Sequence, residues 1–122
     1  MNSLEMHVLP REIKIKDKHY ALMFDMNAFS HAEQVYAVEY GRMINCGAII
    51  TEMMDGAISA LMALAYGALR SGGAKMTYAQ FVQDVMTYEQ FDPVYEAVTA
   101  ALFDAMGVNG AEKSKEEAAE KN

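Results

Sequence analysis

Three histidines and one cysteine are the side chains in this sequence best suited to metal binding or nucleophilic catalysis. His7, His19 and His31 are widely separated, with no pair at metal-ligand spacing and no cysteine beside them. Because a metal site needs three or four converging ligands, we interpret them as ordinary surface or half-buried histidines. Cys46 has no neighbouring positive charge beyond Arg42 that would favour a reactive thiolate. We expect a small buried or semi-buried thiol there.

A glycine-containing segment and a group of carboxylates are the other features with chemical potential. Ser71-Gly72-Gly73-Ala74-Lys75 lacks the G-x-x-x-x-G-K-[ST] spacing and the preceding strand of a phosphate loop, so we interpret it as a helix end and a turn. Asp84, Glu89, Asp92 and Glu96 straddle a corner between two predicted helices. Their positions predict a solvated face, with an acidic patch for a basic partner as the alternative. We therefore expect no catalytic residue, no metal, no cofactor and no enzymatic activity.

The composition indicates a folded protein that does not bind nucleic acid. Hydrophobic residues make up 52% of the 122 residues, and the net charge of -7 repels phosphate backbones. Lys14, Lys16 and Lys18 form a basic stripe, which we interpret as a solvated strand face that discourages edge-to-edge pairing. The 11 methionines favour adaptable contact surfaces, because the thioether side chain is flexible and polarizable.

The sequence also bears on the compartment. Cys46 is the sole cysteine, so no internal disulfide can form, which fits a reducing environment. The segment 1–10 has no basic region followed by an apolar run, unlike a signal peptide. The uncharged stretch from Gly56 to Leu69 is 14 residues long, short of the roughly 20 that span a bilayer. We expect a soluble intracellular protein with no membrane contact.

Alternating residues near the start of the chain predict a β-hairpin. The predicted strands are Glu12–Lys16 and His19–Phe24, with a turn at Asp17-Lys18. Ile13 and Ile15 share one face of the first strand, as in a half-buried strand. The second strand carries apolar residues on both faces, so we expect it to be covered on both sides. Because two strands alone are marginal in water, the hairpin must pack on helices or on another chain.

The remainder is predicted to be helical. A first helix, capped by Asp25 or Asn27, runs to about Tyr40 and stops at Gly41. A short second helix covers Ala48–Met54. The apolar stripe of the first helix comprises Phe29, Ala32, Val35, Tyr36 and Tyr40.

The third predicted helix is the most apolar and is expected to be central. Asp55 is its expected cap, it ends near Arg70, and the segment 71–73 terminates it. Because the helix is apolar almost all round, its expected seam is broad. The seam comprises Ile58, Leu61, Met62, Ala65 and Leu69, widened by Leu64 and Ala68.

Two further helices complete the predicted bundle. Thr77 and Gln80 form a capping box at the start of the fourth. The fifth begins at Asp92-Pro93, as cap and first-turn proline, and ends at Gly107. Their buried sides are predicted to comprise Phe81, Val82, Val85 and Met86 in the fourth, and Val94, Val98, Ala101, Leu102 and Met106 in the fifth.

These elements predict an α+β, mostly α fold, with an N-terminal β-hairpin followed by a bundle of four to five helices. Residues 1–107 are expected to form a single domain. The segment 108–122 is rich in Glu and Lys and has no apolar side chain larger than alanine beyond its first residue. It cannot bury enough surface to offset its ordering entropy, which predicts a disordered tail.

Tyrosine and methionine supply the candidate contact residues. Tyrosine is enriched at protein interfaces because it combines a large apolar body with a polar tip. Most of the tyrosines are expected in the core or at its boundary, with one or two sharing a surface with methionines. The predicted partner-binding residues are Tyr36, Tyr40, Met43, Met53 and Met54.

As a whole, the sequence resembles the tail assembly chaperones of long-tailed, siphophage-type bacteriophages and prophages. The similarity begins with the strand pair in Glu12–Phe24 and the helix opening Phe24-Asp25-Met26-Asn27-Ala28-Phe29. It continues in Leu64-Ala65-Tyr66-Gly67-Ala68-Leu69 and, after a glycine-containing break, in Met76-Thr77-Tyr78-Ala79-Gln80-Phe81. Residues 12–107 are covered, and the shared features are apolar spacing, a capping box and small-residue positions.

The resemblance implies a non-enzymatic protein of the host bacterial cytoplasm. Members of that family coat the aggregation-prone tape measure protein and help recruit tail tube subunits. They often have a longer, frameshifted product, and self-association is compatible with the role. One alternative is a small virion structural protein, such as a head–tail connector or ring subunit. An enzyme is the third, disfavoured by the side chains considered above.

Overall fold

The computed structural model describes residues 9–107, which form a β-hairpin followed by five α-helices. In chain order these are β1 (Arg11–Ile15), β2 (Lys18–Leu22), α1 (Met26–Glu39), α2 (Cys46–Met54), α3 (Ile58–Ser71), α4 (Tyr78–Gln80) and α5 (Phe91–Met106). A π turn, Phe81–Val85, and a 3₁₀ turn, Tyr88–Gln90, link α4 to α5. The predicted α+β, mostly helical class is confirmed. His7 and the predicted disordered tail at 108–122 lie outside the described residues.

The hairpin turn lies one residue earlier than the predicted Asp17-Lys18. Its two central residues are Lys16 and Asp17, with φ of 50° and 66°, and Ile15 pairs directly with Lys18. A two-residue turn that matches the twist of the strands needs positive φ at both positions, and aspartate tolerates that conformation. This register buries Ile13 and Ile15 on the face toward the helices.

Helix α1 begins where the sequence predicted, with Asp25 rather than Asn27 as its cap. The Ala28 amide donates to Asp25 Oδ1 at 3.0 Å, satisfying one of the unpaired donors of the first turn. The Ser71 hydroxyl also donates to Asp25 Oδ1, which ties the start of α1 to the end of α3. The helix ends before Gly41, whose φ is 69°. Its predicted stripe is buried except at its last residue, Tyr40, which is half-buried.

The prediction that Asp55 caps α3 is wrong. Asp55 closes α2 instead. Its amide donates to the Thr51 carbonyl, and the Gly56 amide donates to the Met53 carbonyl. The φ of Gly56 is 95°, so the chain reverses there, as helix ends commonly do. Helix α3 then starts at Ile58 without a side-chain cap. This start leaves Ile58 exposed rather than in the predicted seam.

Helix α3 is the central helix, as predicted. It contacts α1, α2, α5 and β2, and nine of its residues are buried. Gly67 permits the close crossing with α1, since a β-carbon there would stand 2.3 Å from the Ala28 carbonyl oxygen. At the far end, the Met23 amide donates to the Ala68 carbonyl at 3.1 Å. The hairpin is therefore fixed to the C-terminal end of α3.

The fourth predicted helix is one α turn followed by the π turn. The capping box of Thr77 and Gln80 is present. The Met86 amide donates to the Phe81 carbonyl at 2.8 Å, five residues back, and this wider turn rotates the following side chains. Phe81 is buried as predicted, but Val82 is exposed.

Helix α5 begins one residue before the predicted cap. A 3₁₀ turn leads into it, Gln90 is the capping residue, and Asp92 lies in the first helical turn. The helix ends before Gly107, whose φ of 73° is the left-handed conformation that the predicted stop requires. Its predicted stripe is buried except for Met106, which lies in the last turn and is exposed.

Candidate partner-binding surface

The five predicted contact residues divide between the core and the surface. Tyr36 and Met53 are both 0% exposed, because α3 packs over the face of α1 and α2 that carries them. They are core residues, so the prediction that they lie on a partner-binding surface is wrong. Met43 is 91% exposed and Met54 48% exposed, while Tyr40 is half-buried. The candidate surface therefore retains Tyr40, Met43 and Met54.

An ion pair holds the link between α1 and α2 in place. Arg42 Nη2 lies 2.7 Å from Glu52 Oε2, and Arg42 Nη1 donates to Glu52 Oε1 at 3.2 Å. The Tyr36 hydroxyl also donates to Glu52 Oε1, at 2.9 Å. The hydrogen bond from Arg42 and then that from Tyr36 lower the pKa of Glu52. This bidentate contact fixes the backbone next to Met43.

Tyr40 joins the ends of three helices. Its ring meets that of Tyr36 edge to face at 4.9 Å, and its hydroxyl donates to the Ser59 carbonyl at 3.2 Å. The Tyr40 and Tyr78 hydroxyls are hydrogen bonded to each other. Burial, followed by the bond to Tyr78, raises the pKa of Tyr40. Tyr40 is thus a rigid support beneath the surface.

Ile58 is an exposed residue that sequence reasoning assigned to the core. It is 59% exposed and begins α3, while Met54 ends α2, so the two flank the turn at 55–57. The neighbouring Ser59 receives the Tyr40 hydrogen bond, which places this turn beside the end of α1. We call Met43, Met54 and Ile58 the methionine end. The sequence feature that could have indicated the exposure of Ile58 is Gly56. This glycine ends α2, so the first side chains of α3 lie outside the core.

A groove of about 340 Å³ lies between α1 and the start of α4. Its apolar lining includes Val35, Tyr78 and the exposed Val38. Arg70 stiffens the opposite wall, because its Nη1 donates to the Tyr66 hydroxyl at 2.8 Å and its guanidinium covers that ring. The groove is therefore lined by polar as well as apolar side chains.

His31 lies on the polar rim of the same groove. Burial, followed by the nearby Arg70, lowers the pKa of His31, and Asp25 opposes the shift. Its ring meets Tyr66 edge to face at 6.4 Å. The neutral imidazole is therefore favoured in the folded protein.

The other candidate chemical groups are dispersed. The amide of Cys46 donates to Glu33 Oε2 at 2.8 Å, so Glu33 helps cap α2 and the thiol is half-buried at the helix start. His19 is exposed on β2. The four carboxylates at the α4–α5 corner, Asp84, Glu89, Asp92 and Glu96, are all exposed. Across the described part of the chain, no three His, Cys, Asp or Glu side chains converge closely enough to hold a metal ion.

Comparison with known proteins adds no assignment. No protein-family model, curated protein or solved structure matches this chain. No helix within residues 9–107 has the length and apolar character needed to cross a membrane. The geometry of the methionine end and of the groove between α1 and α4 therefore carries the functional argument.

Proposed function

We propose that this chain is a phage tail assembly chaperone, which binds and solubilises the tape measure protein and helps recruit tail tube subunits during tail morphogenesis. The supporting observation is the methionine end, where Met43, Met54 and Ile58 are exposed beside a rigid scaffold of hydrogen-bonded aromatic residues. The sequence resemblance to that family motivates the choice of client. On this proposal the protein acts in the host bacterial cytoplasm and performs no covalent chemistry.

The methionine end has the properties that a helix-shielding surface needs. Methionine adapts its shape to different apolar partners, and a tape measure protein is expected to be a long helix with exposed apolar stripes. Fully burying a side chain of this size gains about 1.5–3 kcal/mol, and association itself costs about 4–15 kcal/mol. Three such side chains, assisted by the groove lined by Val38, therefore support a reversible complex. A chaperone must leave its client before the tail is finished, so weak binding suits the role.

Co-expression with the cognate tape measure protein tests the proposal. The triple variant Met43→Ser/Met54→Ser/Ile58→Ser removes the exposed apolar atoms and should lower the yield of soluble tape measure protein several-fold. A matched control places serine at Met26, Val82 and Met106, which are also exposed but lie elsewhere. The control should solubilise as the wild type does. Equal yields from both triple variants and the wild type would contradict the proposal.

A small virion structural protein, such as a head–tail connector or ring subunit, is the second candidate. It is favoured by the hairpin, since β1 and β2 form a two-stranded sheet with no third strand within residues 9–107. A neighbouring subunit could add a strand at the edge of β1. Mass spectrometry of purified particles separates the two candidates, because a structural subunit stays in the particle and a chaperone is absent.

A further inference from the structure

A cleft of about 650 Å³ lies between the hairpin and the loop that follows α3. Its size is within the range of sites that enclose a ligand. Lys16 and Lys18 line it from the hairpin, and Lys75 lines it from the loop. Asp84, at the π turn, is the one carboxylate-bearing residue of this lining. We call this cleft, lined by Lys16, Lys18 and Lys75, the basic cleft.

The basic cleft contrasts with the charge of the chain, which is -7 overall. Lys16 Nζ donates to the backbone carbonyl of Asp84 at 3.0 Å, which holds this ammonium group between the hairpin and the π turn. Within residues 9–107, Lys18 and Lys75 form no ion pair. Three lysines that line one cleft, opposed there by the single carboxylate of Asp84, raise the local concentration of anions. The cleft is therefore a site for negative charge on an otherwise acidic protein.

The floor of the basic cleft is apolar. Ile15 and Val85 are buried at its base, and Tyr20, Ala74 and Met76 are half-buried in its walls. A free inorganic anion would leave these surfaces unused. A ligand that carries carboxylates beside an apolar side chain would match both the rim and the floor.

The walls of the cleft are fixed before any ligand arrives. A β-carbon at Gly72 would stand 2.0 Å from the Ala21 carbonyl oxygen, so the loop and the hairpin touch backbone to backbone. The capping box of Thr77 and Gln80 holds the adjoining helix start. Preorganised walls reduce the entropy lost on binding.

We propose that the basic cleft binds a short acidic segment of a partner polypeptide, in which two or three carboxylates flank one apolar side chain. Such a segment pairs its carboxylates with Lys18 and Lys75 and places its apolar side chain against the half-buried Tyr20, Ala74 and Met76. A nucleic acid fits less well, because its phosphates would continue beyond the cleft and meet the exposed Asp17 and the acidic surface. This assignment deepens the proposed function, because it states the chemistry of the client segment that the cleft binds. It rests on the proposed function in one respect, namely that the segment in the cleft belongs to a client protein.

Fluorescence anisotropy with a labelled peptide in which three glutamates flank one leucine tests this assignment on the full chain. The wild type should bind it saturably, and more weakly as salt concentration rises. The same peptide with glutamine in place of glutamate should lose most of the binding. Lys18→Glu and Lys75→Glu should each raise the Kd at least fivefold. Lys14→Glu is the matched control, since it makes the same charge change on an exposed lysine outside the cleft and should alter the Kd less than twofold.

Several outcomes would overturn the assignment. They are no saturable binding of the acidic peptide, equal binding of the glutamine peptide, or an equal loss in Lys14→Glu and Lys75→Glu. Tighter binding of a single-stranded oligonucleotide that depends on Lys18 and Lys75 would instead assign the cleft to phosphates. Thermal melts of each variant check that folding is retained. Tape measure solubilisation by the same variants tests the cleft assignment and the proposed function separately. Solubilisation without peptide binding contradicts the cleft assignment alone. Peptide binding without solubilisation contradicts the proposed function alone.

Discussion

Gly67 of α3 crosses Ala28 of α1 so closely that a β-carbon on Gly67 would stand 2.3 Å from the Ala28 carbonyl oxygen. The contact between these two helices is the most extensive of any pair of elements within residues 9–107. Small residues at both positions let the backbones approach. The buried aromatic residues of α1 and the end of the hairpin are positioned by this crossing.

Gly67→Ala is therefore expected to destabilise the protein, although alanine favours helices. The added methyl group must push α1 and α3 apart, and overpacking of this kind costs about 1–3 kcal/mol. Chemical denaturation, with the free energy of unfolding as the readout, measures the loss. Gly47→Ala is the matched control, because its nearest neighbour would be Asn45 Oδ1 at an ordinary 3.4 Å. An equal effect of both substitutions would contradict the close crossing.

The neighbouring methionines Met53 and Met54 should respond very differently to alanine. Met53 is 0% exposed, so Met53→Ala leaves a cavity and should lower the free energy of unfolding by about 2–5 kcal/mol. Met54 is half exposed to solvent, and Met54→Ala should change stability by no more than about 0.5 kcal/mol. Thermal unfolding of the two variants makes the comparison. Similar melting temperatures would show that the burial of α2 is assigned wrongly.

The ion pair of Glu52 with Arg42 should make stability depend on acid pH. The folded-state pKa of Glu52 is lowered from 4.5, so the carboxylate stabilises the fold above that pH and the contribution is lost as pH falls through the lower, folded value. Glu52→Gln should remove this part of the pH dependence. Denaturation across the acid range measures the slope. Glu89→Gln, an exposed change without an ion pair within residues 9–107, should leave the slope as in the wild type.

His31 should add a second pH dependence in a higher window. Burial and Arg70 lower its pKa from 6.5 in the folded state, against the opposing effect of Asp25. The unfolded chain then binds the proton more readily, so stability is full above pH 6.5 and declines as pH falls below it until the folded value is passed. His31→Gln should flatten the curve in that window. The exposed His19 supplies the control substitution, and a flat wild-type curve would contradict the assignment.

The residues that form local structure were predictable from the sequence because they depend on neighbours within a few positions. The cap at Asp25, the capping box of Thr77 and Gln80, and the stop at Gly107 each satisfy backbone groups of their own turn. The hairpin was likewise found from alternation, with its turn displaced by one residue. The apolar stripe of α1 followed from helical spacing.

The assignment of methionines and tyrosines to core or surface was not predictable in the same way. Met53 is buried and Met43 is exposed although both are methionines, and periodicity alone cannot say which helix end extends beyond its neighbours. Val82, within the π turn, is exposed, whereas Phe81, Val85 and Met86 are buried as the spacing predicted.

The sequence by itself determined the order of elements, the caps of α1 and α4 and the stop of α5, since each is set by residues close together in the chain. The tertiary structure decided which apolar side chains remain exposed, and it assembled the basic cleft from Lys16, Lys18 and Lys75. Lys75 lies more than fifty residues along the chain from Lys16 and Lys18. Their convergence depends on α3 returning its C-terminal end to the hairpin, where Gly72 meets Ala21. Long-range packing of this kind leaves no local pattern, because the contact energy is shared between segments that the sequence keeps apart.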